Sequence, residues 1–295
     1  MSIAVAAIQF KPQASVDANL HCAENFLQQA AEAGCQLAVL PENFAYYGQA
    51  DLLQAGRAES DEQGPVRQFL AEQAARHDMW LVAGTVPVAG PSPRPSARCF
   101  LLSPKGEVVD HYDKIHLFDV DLPDGKRIRE SDRYAPGKRA LMPHTPWGPW
   151  GMTVCYDLRF AHLYREYAKA GATLMFVPSA FAVKTGQAHW EPLLRARAIE
   201  NGCFIVASAQ SGRHADGSET YGHAMVIDPW GRVLTDMGNA LGAVDLTLDM
   251  TQVAKTRAMI PSLDNERDYA HIAGNAASAQ AAVRWTLTTP AWTRA

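Results

Sequence analysis

Residues 147–160 read W-G-P-W-G-M-T-V-C-Y-D-L-R-F and place a cysteine between a strand pattern and a helix pattern. Residues 152–154 are typical of a buried strand, and a helical pattern begins soon after Cys155 and stops at Gly171. A side chain at such a turn can be held out over the edge of a sheet. Because helix N-termini stabilise anions, we predict a lowered pKa for the Cys155 thiol. The alternative is a buried cysteine without a chemical role, which is the commoner case for this residue type.

Length and composition indicate an ordinary globular protein with one large α/β domain. The chain has 295 residues, of which 47% are hydrophobic and 20% are charged. A net charge of -4 and a pI of about 6.2 give no electrostatic footprint for nucleic acid or for a membrane surface. We therefore expect small molecules or other protein chains as partners. The predicted domain covers residues 1–268, and residues 269–295 form a C-terminal tail.

The cysteines and the apolar runs bear on where the protein works. The five cysteines are odd in number, widely spaced and without a C-x-x-C pair, which favours neither a disulfide framework nor a thiolate zinc site. The N-terminus carries no basic segment followed by an apolar run, and no stretch reaches the ~20 apolar residues of a membrane helix. We expect a cytoplasmic protein in a reducing compartment, with no membrane partner. No histidine spacing suits a metal, since His111 and His116 flank Lys114 across a strand end.

Strand and helix patterns alternate along the chain. Predicted strands cover residues 3–8, 37–40, 80–86, 173–177, 204–207 and 243–248, with hairpins at 100–112 and 223–234. Predicted helices cover residues 66–77, 191–201 and a first segment that Ser15 or Asp17 caps and that runs to residue 33. Residues 115–149 show little periodicity, and their aromatic and charged content favours an ordered lid or rim.

Two segments of the chain resemble each other. Residues 33–42 and 170–179 each contain a helix end, an apolar strand, and a proline followed by a polar residue. Each half of the chain also contains a later hairpin with a glycine in its turn. We predict two pseudo-symmetric halves, each a sheet with helices on one face, packed sheet against sheet. The predicted fold is therefore an α/β four-layer α-β-β-α sandwich.

Three polar residues follow apolar strands and could form a site. Glu42, Lys114 and Cys155 stand at strand ends, where open α/β sheets place their sites. Each one alone could be a solvated acid, a surface cation or a packed thiol. A carboxylate near a thiol can take its proton during attack, protonate a departing amine and then activate water. A lysine ammonium stabilises the intervening oxyanion, so the three residues together predict nucleophilic catalysis.

Longer motifs surround these residues. They are L-P-E at 40–42, Y-D-K-I-H-L-F-D-V at 112–120, G-M-T-V-C-Y-D-L-R-F at 151–160 and P-S-A-F at 178–181. Together they resemble the nitrilase, or carbon–nitrogen hydrolase, superfamily over residues 3–267, nearly the whole chain. Two further strings, at residues 186–200 and 221–231, narrow the resemblance to the Nit branch and especially to deaminated glutathione amidases.

The resemblance implies a Glu-Lys-Cys catalytic triad, which falls on Glu42, Lys114 and Cys155. It also implies a second active-site glutamate in the segment after the lysine, and Glu130 is the matching residue. A second acid there would keep the ammonium oriented and paired. Without the resemblance, Glu130 could be a surface acid on a loop.

The resemblance also suggests how the substrate is held. Arg159 and Thr185 match an arginine and a threonine that grip an α-keto acid in related Nit proteins, and a guanidinium fork suits a carboxylate. Arg159 could instead pair with Asp157 or Glu166. Lys184 could favour a dianionic substrate. Residues that could be pocket walls, with core packing as the alternative, are Phe44, Tyr47, Phe181, His189 and Trp190.

These observations predict hydrolysis of a linear amide C–N bond with release of ammonia through a Cys155 thioester. The resemblance favours deaminated glutathione, the α-ketoglutaramyl analogue of glutathione, as the substrate in a metabolite-repair role. The alternatives are an ω-amidase acting on α-ketoglutaramate or related short amides, a nitrilase or carbamoyl hydrolase, and a non-catalytic binding protein on the same fold. The resemblance implies at least a homodimer, and we expect no metal and no organic cofactor.

Overall fold

The described part of the chain mixes helices with strands throughout. The computed structural model describes residues 1–13, 15–48, 51–60, 64–121, 125, 127–214 and 216–268. The chain divides into two units, Met1–Leu263 and Asp264–Ala295. The second unit is described only over residues 264–268, so the predicted tail at 269–295 lies outside the described residues. The predicted domain boundary at residue 268 stays a prediction.

The helices and strands are numbered in chain order. The described helices are α1 Val16–Glu32, α2 Leu52–Ala58, α3 Pro65–Arg76, α4 Ala161–Lys169, α5 Val183–Asn201 and α6 Thr251–Met259. The strands of the first half are β1 Ser2–Phe10, β2 Leu37–Leu40, β3 Trp80–Ala83, β4 Val86–Val88, β5 Ser96–Leu102, β6 Val108–Asp113, β7 Asp119–Asp121 and β8 Arg127–Arg129. Those of the second half are β9 His144–Thr145, β10 Gly148–Met152, β11 Leu174–Phe176, β12 Phe204–Ala207, β13 Ala209–Arg213, β14 Glu219–Tyr221, β15 Met225–Ile227, β16 Val233–Asp236 and β17 Gly242–Asp249. Among the described helices, none is both long enough and apolar enough to cross a membrane.

Helix α1 shows how the local sequence sets the ends of an element. Ser15 is its N-cap, with an extended backbone and a side-chain oxygen that accepts from the Ala18 N–H. Of the two caps predicted, Ser15 is therefore the one used. After the helix ends, Gly34 adopts a φ of 78°, the left-handed conformation that glycine enters without steric cost. Leu27 and its buried neighbours on α1 then face the first sheet.

The described strands form two large sheets and a small ribbon. The first sheet has the order β14-β13-β1-β2-β3-β5-β4, with β17 beside β1 and β6 beside β5. The second has the order β16-β15-β12-β11-β10-β9, and β7 pairs only with β8. Strands β1 to β3 are mutually parallel in the first sheet, as are β10 to β12 in the second. Both sheets therefore have a parallel centre whose carboxyl ends can carry a site.

Alternate residues of β1 belong to different layers of the core. Ala6 and Ile8 pack with buried residues of α1 and α3, whereas Val5 packs with residues of the second sheet. Helices α4 and α5 bury their apolar residues in the same cluster as the second sheet. Between the sheets, Trp80 and Trp150 meet edge to face with ring centroids 5.7 Å apart. The layers are therefore helix, sheet, sheet and helix, which confirms the predicted four-layer sandwich.

The two halves repeat one order of elements. The series β1-α1-β2-α3-β3, with the short α2 inserted, corresponds to β10-α4-β11-α5-β12. Gly34 and Gly171, both with positive φ, precede the central strands β2 and β11. The predicted equivalence of residues 33–42 and 170–179 is thus present in the order and direction of the elements.

Three parts of the chain are more regular than their sequence patterns predict. Helix α5 begins at Val183 rather than at residue 191, because Gly186 and Pro192 interrupt the pattern without ending the helix. Gly186 lies against Tyr221, so an added Cβ would overlap that ring and the glycine serves close packing. The predicted loop at 115–149 contains the ribbon β7–β8 and strand β9. The polar hairpin β13–β14 has no predicted counterpart.

Candidate active site

The three polar residues at strand ends meet at one place. Glu42 lies just after β2, Lys114 directly follows β6, and Cys155 lies just after β10. They are 3%, 1% and 7% exposed, respectively. The first two come from the first sheet and the third from the second sheet. The site therefore lies where the carboxyl ends of both sheets converge.

Two carboxylates surround the ammonium of Lys114. Its Nζ donates to Glu42 Oε1 and to both carboxylate oxygens of Glu130, each at 2.8 Å. Burial by itself would lower the pKa of Lys114, but the charges of Glu130 and Glu42 outweigh burial and hold the pKa well above its usual value. The lysine is therefore a permanent cation in the site.

Glu130 holds the lysine from the segment that follows β8. It begins a short 3₁₀ helix, Glu130–Asp132, and its Oε2 also accepts from the Phe118 N–H at 2.6 Å. Burial raises the pKa of Glu130, the Lys114 ammonium opposes this, and the nearby Glu42 adds to the rise. The Glu130 side chain is 13% exposed, so it lies at the lysine and not on the loop surface.

Glu42 connects the lysine with the cysteine. Its Oε1 accepts from Lys114, and its Oε2 accepts from the backbone N–H of Ala180 at 2.8 Å. The Glu42 carboxylate and the Ala180 N–H also act on the Cys155 thiol, where the carboxylate raises its pKa and the N–H lowers it. One carboxylate thus binds an ammonium and a backbone donor and acts on the thiol.

Cys155 occupies a turn with unusual backbone geometry. Its φ is 47°, in the left-handed region that residues with a Cβ rarely adopt, and its N–H donates to the Pro178 carbonyl at 3.0 Å. Burial, and then the charge of Glu42, raise the pKa of the thiol well above its usual value. The predicted lowering of this pKa is therefore wrong. The turn is only the short 3₁₀ helix Cys155–Arg159, and α4 begins later at Ala161, so no long helix offsets burial.

A cavity of about 420 Å³ opens onto these side chains. One wall comes from β8 and the 3₁₀ helix after it, over residues 127–134. The other walls come from residues 42–48, after β2, and from residues 216–220, at the β13–β14 hairpin. This volume lies within the usual range of pockets that bind small molecules, about 300–1,000 Å³.

Comparison with known proteins places the chain in a family. The family model described as carbon-nitrogen hydrolase matches residues 4–258. The chain belongs to the carbon–nitrogen hydrolases. It is 41% identical over 238 residues to the deaminated glutathione amidase of Yersinia enterocolitica, a match that covers 80% of this chain and 83% of that protein. This carbon–nitrogen hydrolase therefore acts on C–N bonds in linear amides.

Solved structures show the same fold as this carbon–nitrogen hydrolase. The NitFhit protein of C. elegans matches with a TM-score of 0.84 at 34% identity, covering 90% of this chain and 65% of that one. A glutamate-to-glutamine mutant of the amidase from Nesterenkonia sp. AN1 matches with a TM-score of 0.73 at 26% identity, covering 90% and 94%. That mutant is described as showing covalent addition of the acetamide moiety of fluoroacetamide at its active-site cysteine.

Of the residues predicted to hold the substrate of this hydrolase, one borders the cavity and three others form a cluster. Tyr47 borders the cavity. Arg159, Phe181 and His189 form a cluster outside its lining, in which the Arg159 nitrogens lie 3.3 Å from His189 Nδ1 and its Cζ lies 5.4 Å from the Phe181 ring centroid. The Thr185 hydroxyl donates to the backbone carbonyl of Ala182, the N-cap of the same helix, at 3.2 Å. That these four residues bind the substrate stays a prediction; they are Arg159, Phe181, His189 and Thr185.

Two of the candidate wall residues belong to the core of the hydrolase. Phe44 is fully buried in the layer between the first sheet and its helices. Trp190 is also fully buried, and its indole N–H donates to the His223 carbonyl at 2.8 Å. Core packing thus accounts for both of them. Lys184 is exposed on the first turn of α5.

One buried carboxylate, considered from the sequence only as a partner for Arg159, joins the lysine strand to the cysteine turn. Asp157 is fully buried and accepts from the Tyr112 hydroxyl at 2.7 Å, the His116 N–H at 3.0 Å and the Val154 N–H at 2.9 Å. His116 Nδ1 lies 2.7 Å from it as well. The described contacts of Asp157 include no ion pair with Arg159. The sequence signal for this role is that Asp157 lies two residues after Cys155 and His116 two residues after Lys114.

The histidines of the described segments do not form a metal site. Within those segments, no group of three or more His, Cys, Asp or Glu side chains could hold a metal ion. His116 instead stacks on Phe160, with ring centroids 3.5 Å apart. Chemistry without a metal or an organic cofactor stays a prediction, and turnover that survives exhaustive chelation is its expected result.

Proposed function

We propose that this chain hydrolyses a linear amide through a thioester on Cys155, with Glu42 carrying protons and Lys114 stabilising the oxyanion. The observation that carries the proposal is the buried Glu42 carboxylate, which binds the Lys114 ammonium, shares a cavity with Cys155 and raises the pKa of its thiol. The Nesterenkonia amidase mutant, with its acetamide group on the active-site cysteine, supports a covalent route.

The first half of the proposed reaction starts from a neutral thiol, because burial and the Glu42 charge raise the pKa of Cys155. As the sulfur bonds to the amide carbon, Glu42 accepts the thiol proton and the carbonyl oxygen becomes an oxyanion. Both oxygens of Glu130 can share one Lys114 proton, so another proton can turn toward the oxyanion. A well-placed donor of this kind lowers a barrier by about 3–4 kcal/mol.

The second half returns the site to its starting state. The C–N bond breaks as the carbonyl re-forms, and Glu42 gives its proton to the leaving nitrogen, so a neutral amine departs. Water then attacks the thioester carbon while Glu42 takes one of its protons. Collapse of this second intermediate releases the carboxylic acid and returns the proton to the sulfur. Glu42 therefore ends each cycle as a carboxylate.

Glu130 has a positioning part in the proposal. It holds the Lys114 ammonium through both of its oxygens and is itself held by the Phe118 N–H. Glu130→Gln should therefore lower kcat more than it raises KM, because the oxyanion donor loses its orientation while the cavity is unchanged.

For the substrate we propose deaminated glutathione, because the relative from Yersinia enterocolitica carries that activity in its name. The amide nitrogen of this compound belongs to its cysteine residue, so its hydrolysis gives α-ketoglutarate and cysteinylglycine. A primary amide such as α-ketoglutaramate gives α-ketoglutarate and ammonia, the product expected from the sequence. The nitrogen-containing product therefore separates a deaminated glutathione amidase from an ω-amidase.

Mass spectrometry of the intact protein, shortly after mixing with substrate, tests the covalent route. We expect an acyl adduct that maps to Cys155 and is absent from Cys155→Ala, which loses turnover but keeps its fold. Cys22→Ala is the matched control, because Cys22 is a partly exposed cysteine on α1. It should leave both the adduct and the rate unchanged. Substantial turnover by Cys155→Ala would refute the thioester.

A substrate panel tests the specificity. It contains deaminated glutathione, α-ketoglutaramate, simple nitriles and carbamoyl compounds, with α-ketoglutarate, cysteinylglycine and ammonia quantified separately. The proposal expects the highest kcat/KM for deaminated glutathione, with equal amounts of α-ketoglutarate and cysteinylglycine. A higher kcat/KM for α-ketoglutaramate would make the protein an ω-amidase. No turnover of any compound, with Cys155 unmodified, would favour a binding protein.

The proposal includes a homodimer located in the cytoplasm. Ile199, Trp230 and Ile260 are 53%, 50% and 56% exposed and border a groove of about 140 Å³, an apolar surface that a second copy could cover. All five cysteines are free, as in a reducing compartment. Light scattering should give twice the chain mass of 32.2 kDa, and Trp230→Glu should return it to one chain. A single-chain mass for the unaltered protein would contradict the dimer.

A further inference from the structure

A chain of polar groups on one wall of the cavity ends in a carboxylate. The Tyr47 hydroxyl lies 3.0 Å from Ser218 Oγ, and Ser218 Oγ lies 2.6 Å from Asp216 Oδ1. The Ser218 N–H donates to the same oxygen at 3.0 Å. The hydrogen bond from the Ser218 hydroxyl is the main reason that the pKa of Asp216 lies below its usual value. Asp216 is therefore ionised at neutral pH and can only accept hydrogen bonds.

Because Asp216 can only accept, it determines which group donates in each hydrogen bond of this network. Ser218 has one O–H and gives it to Asp216, so toward Tyr47 it can only accept. Tyr47 must therefore donate its own O–H to Ser218. Burial raises the pKa of Tyr47 to about 12, so the phenol keeps that proton at neutral pH. The Tyr47 oxygen thus has lone pairs, and no proton, to offer the cavity.

Tyr47 borders the same cavity as the reacting groups. Glu42 and Cys155 line that cavity with it, and the charge of Glu42 contributes to the raised pKa of Tyr47. Ser218 is the one hydrogen-bond partner of the Tyr47 hydroxyl that the described part of the structure shows. The His214 ring packs on the Tyr47 ring with centroids 4.1 Å apart. The phenol oxygen is therefore held in place as an acceptor in the cavity that Cys155 also lines.

We propose that Tyr47 is a specificity-determining residue whose oxygen accepts a hydrogen bond from the N–H of the scissile amide. Amides with at least one N–H carry this donor, whereas esters of the same acid do not. A site that presents an acceptor discriminates against an analogue that lacks the donor. The inference rests on the proposed function and narrows its substrates to primary and secondary amides.

The test compares kcat/KM for an N-ethyl amide and for the ethyl ester of the same acyl group. Both compounds form the same thioester, so kcat/KM reports on the steps that lead to it. We expect Tyr47→Phe to lower kcat/KM for the amide about fivefold, the effect of one neutral hydrogen bond, and to leave the ester unchanged. Tyr221→Phe is the matched control, because Tyr221 lies on the β13–β14 hairpin that carries Ser218 but borders another cavity. It should alter neither value.

A second variant keeps the proposal testable if Tyr47→Phe folds poorly. Ser218→Ala removes the acceptor of the phenolic proton, so Tyr47 can turn its O–H into the cavity. The ratio of amide to ester kcat/KM should then fall, because the phenol can donate to an ester oxygen.

The outcomes separate this inference from the function on which it rests. Equal losses on amide and ester in Tyr47→Phe would show that the hydroxyl only joins two loops, and unchanged amide kinetics would show no contact at all. Either result overturns the inference while amide hydrolysis stands. If the unaltered protein hydrolyses neither compound, the proposed function fails and the inference falls with it.

Discussion

At the scale of single residues, the site keeps its sulfur protonated and places a buried carboxylate in the same cavity. Burial and the Glu42 charge raise the pKa of Cys155, whereas Lys114 opposes them only in part. The ammonium is already bonded to two carboxylates, which limits its pull on the thiol. Reactive cysteines are usually recognised by a lowered pKa, so this site differs from that pattern. In the proposed mechanism, the reactivity of the thiol comes from Glu42 at the moment of attack.

Glu42→Gln should therefore change turnover and thiol acidity in opposite directions. Turnover should fall about 10²–10⁴-fold, because the proposed general base is gone. Alkylation of Cys155 by iodoacetamide at neutral pH should become faster, because the charge that raises the thiol pKa is removed. Peptide mapping identifies the alkylated cysteine, and Glu32→Gln, on the exposed side of α1, is the control. Slower alkylation together with slower turnover would contradict this account.

The pH dependence of kcat/KM is a second test of whether the thiol is protonated before it attacks. The proposed reaction starts from a protonated thiol and an ionised Glu42, and the folded thiol has a raised pKa. Activity should therefore persist as the pH passes the ordinary thiol pKa of ~8.5 and fall only at higher pH. An enzyme that needs a standing thiolate would gain activity across that interval. A rise in kcat/KM between about pH 8 and 9 would count against the base mechanism.

At the scale of elements, the relative position of Lys114 and Cys155 depends on a carboxylate that touches neither. Asp157 accepts hydrogen bonds from Tyr112 at the end of β6, from His116 in the following loop and from Val154 before the cysteine turn. These segments belong to different sheets, so the carboxylate fastens one sheet edge to the other. Hydrogen bonds to a charged acceptor each contribute about 1.5–3 kcal/mol.

Asp157→Asn should weaken both the fold and the chemistry. An amide must turn an N–H toward one of the donors, so we expect the free energy of unfolding in urea to fall by about 2–3 kcal/mol. We also expect kcat to fall more than KM rises, because Lys114 and Cys155 move apart while the cavity remains. Tyr112→Phe removes one of the bonds and should give a smaller loss of both kinds. An unchanged kcat in the folded Asp157→Asn protein would leave Asp157 with a structural role only.

At the scale of the whole molecule, what the sequence predicts well is what short motifs encode. The strand ends at Glu42, Lys114 and Cys155 follow from apolar runs, and the repeat of 33–42 at 170–179 indicates two packed sheets. The hairpin β13–β14 escapes prediction because its strands are polar and owe their place to pairing with β1 and with each other. The raised pKa of the Cys155 thiol could not be predicted from the local sequence either, because its burial depends on the closed sandwich and not on the turn.

The contact between the two sheets should dominate the stability of the sandwich. Trp150 is fully buried between them, and its indole N–H has no hydrogen-bond partner among the described residues. Trp150→Ala should lower the free energy of unfolding by about 3–5 kcal/mol, as large core truncations do. Trp150→Phe should cost clearly less, because it also removes an unpaired polar group. Circular dichroism during urea unfolding measures both, and equal losses would contradict the packing argument.

The convergence of both sheets on one site has a consequence for pieces of this chain. Glu42 and Lys114 come from the first sheet and Cys155 from the second, so neither half holds a complete set. Were the polypeptide severed between the exposed residues Lys138 and Arg139, each fragment would be inert by itself. Amide cleavage that returns on mixing would then show that the two fragments had associated. The enzyme could therefore serve as a split reporter of association.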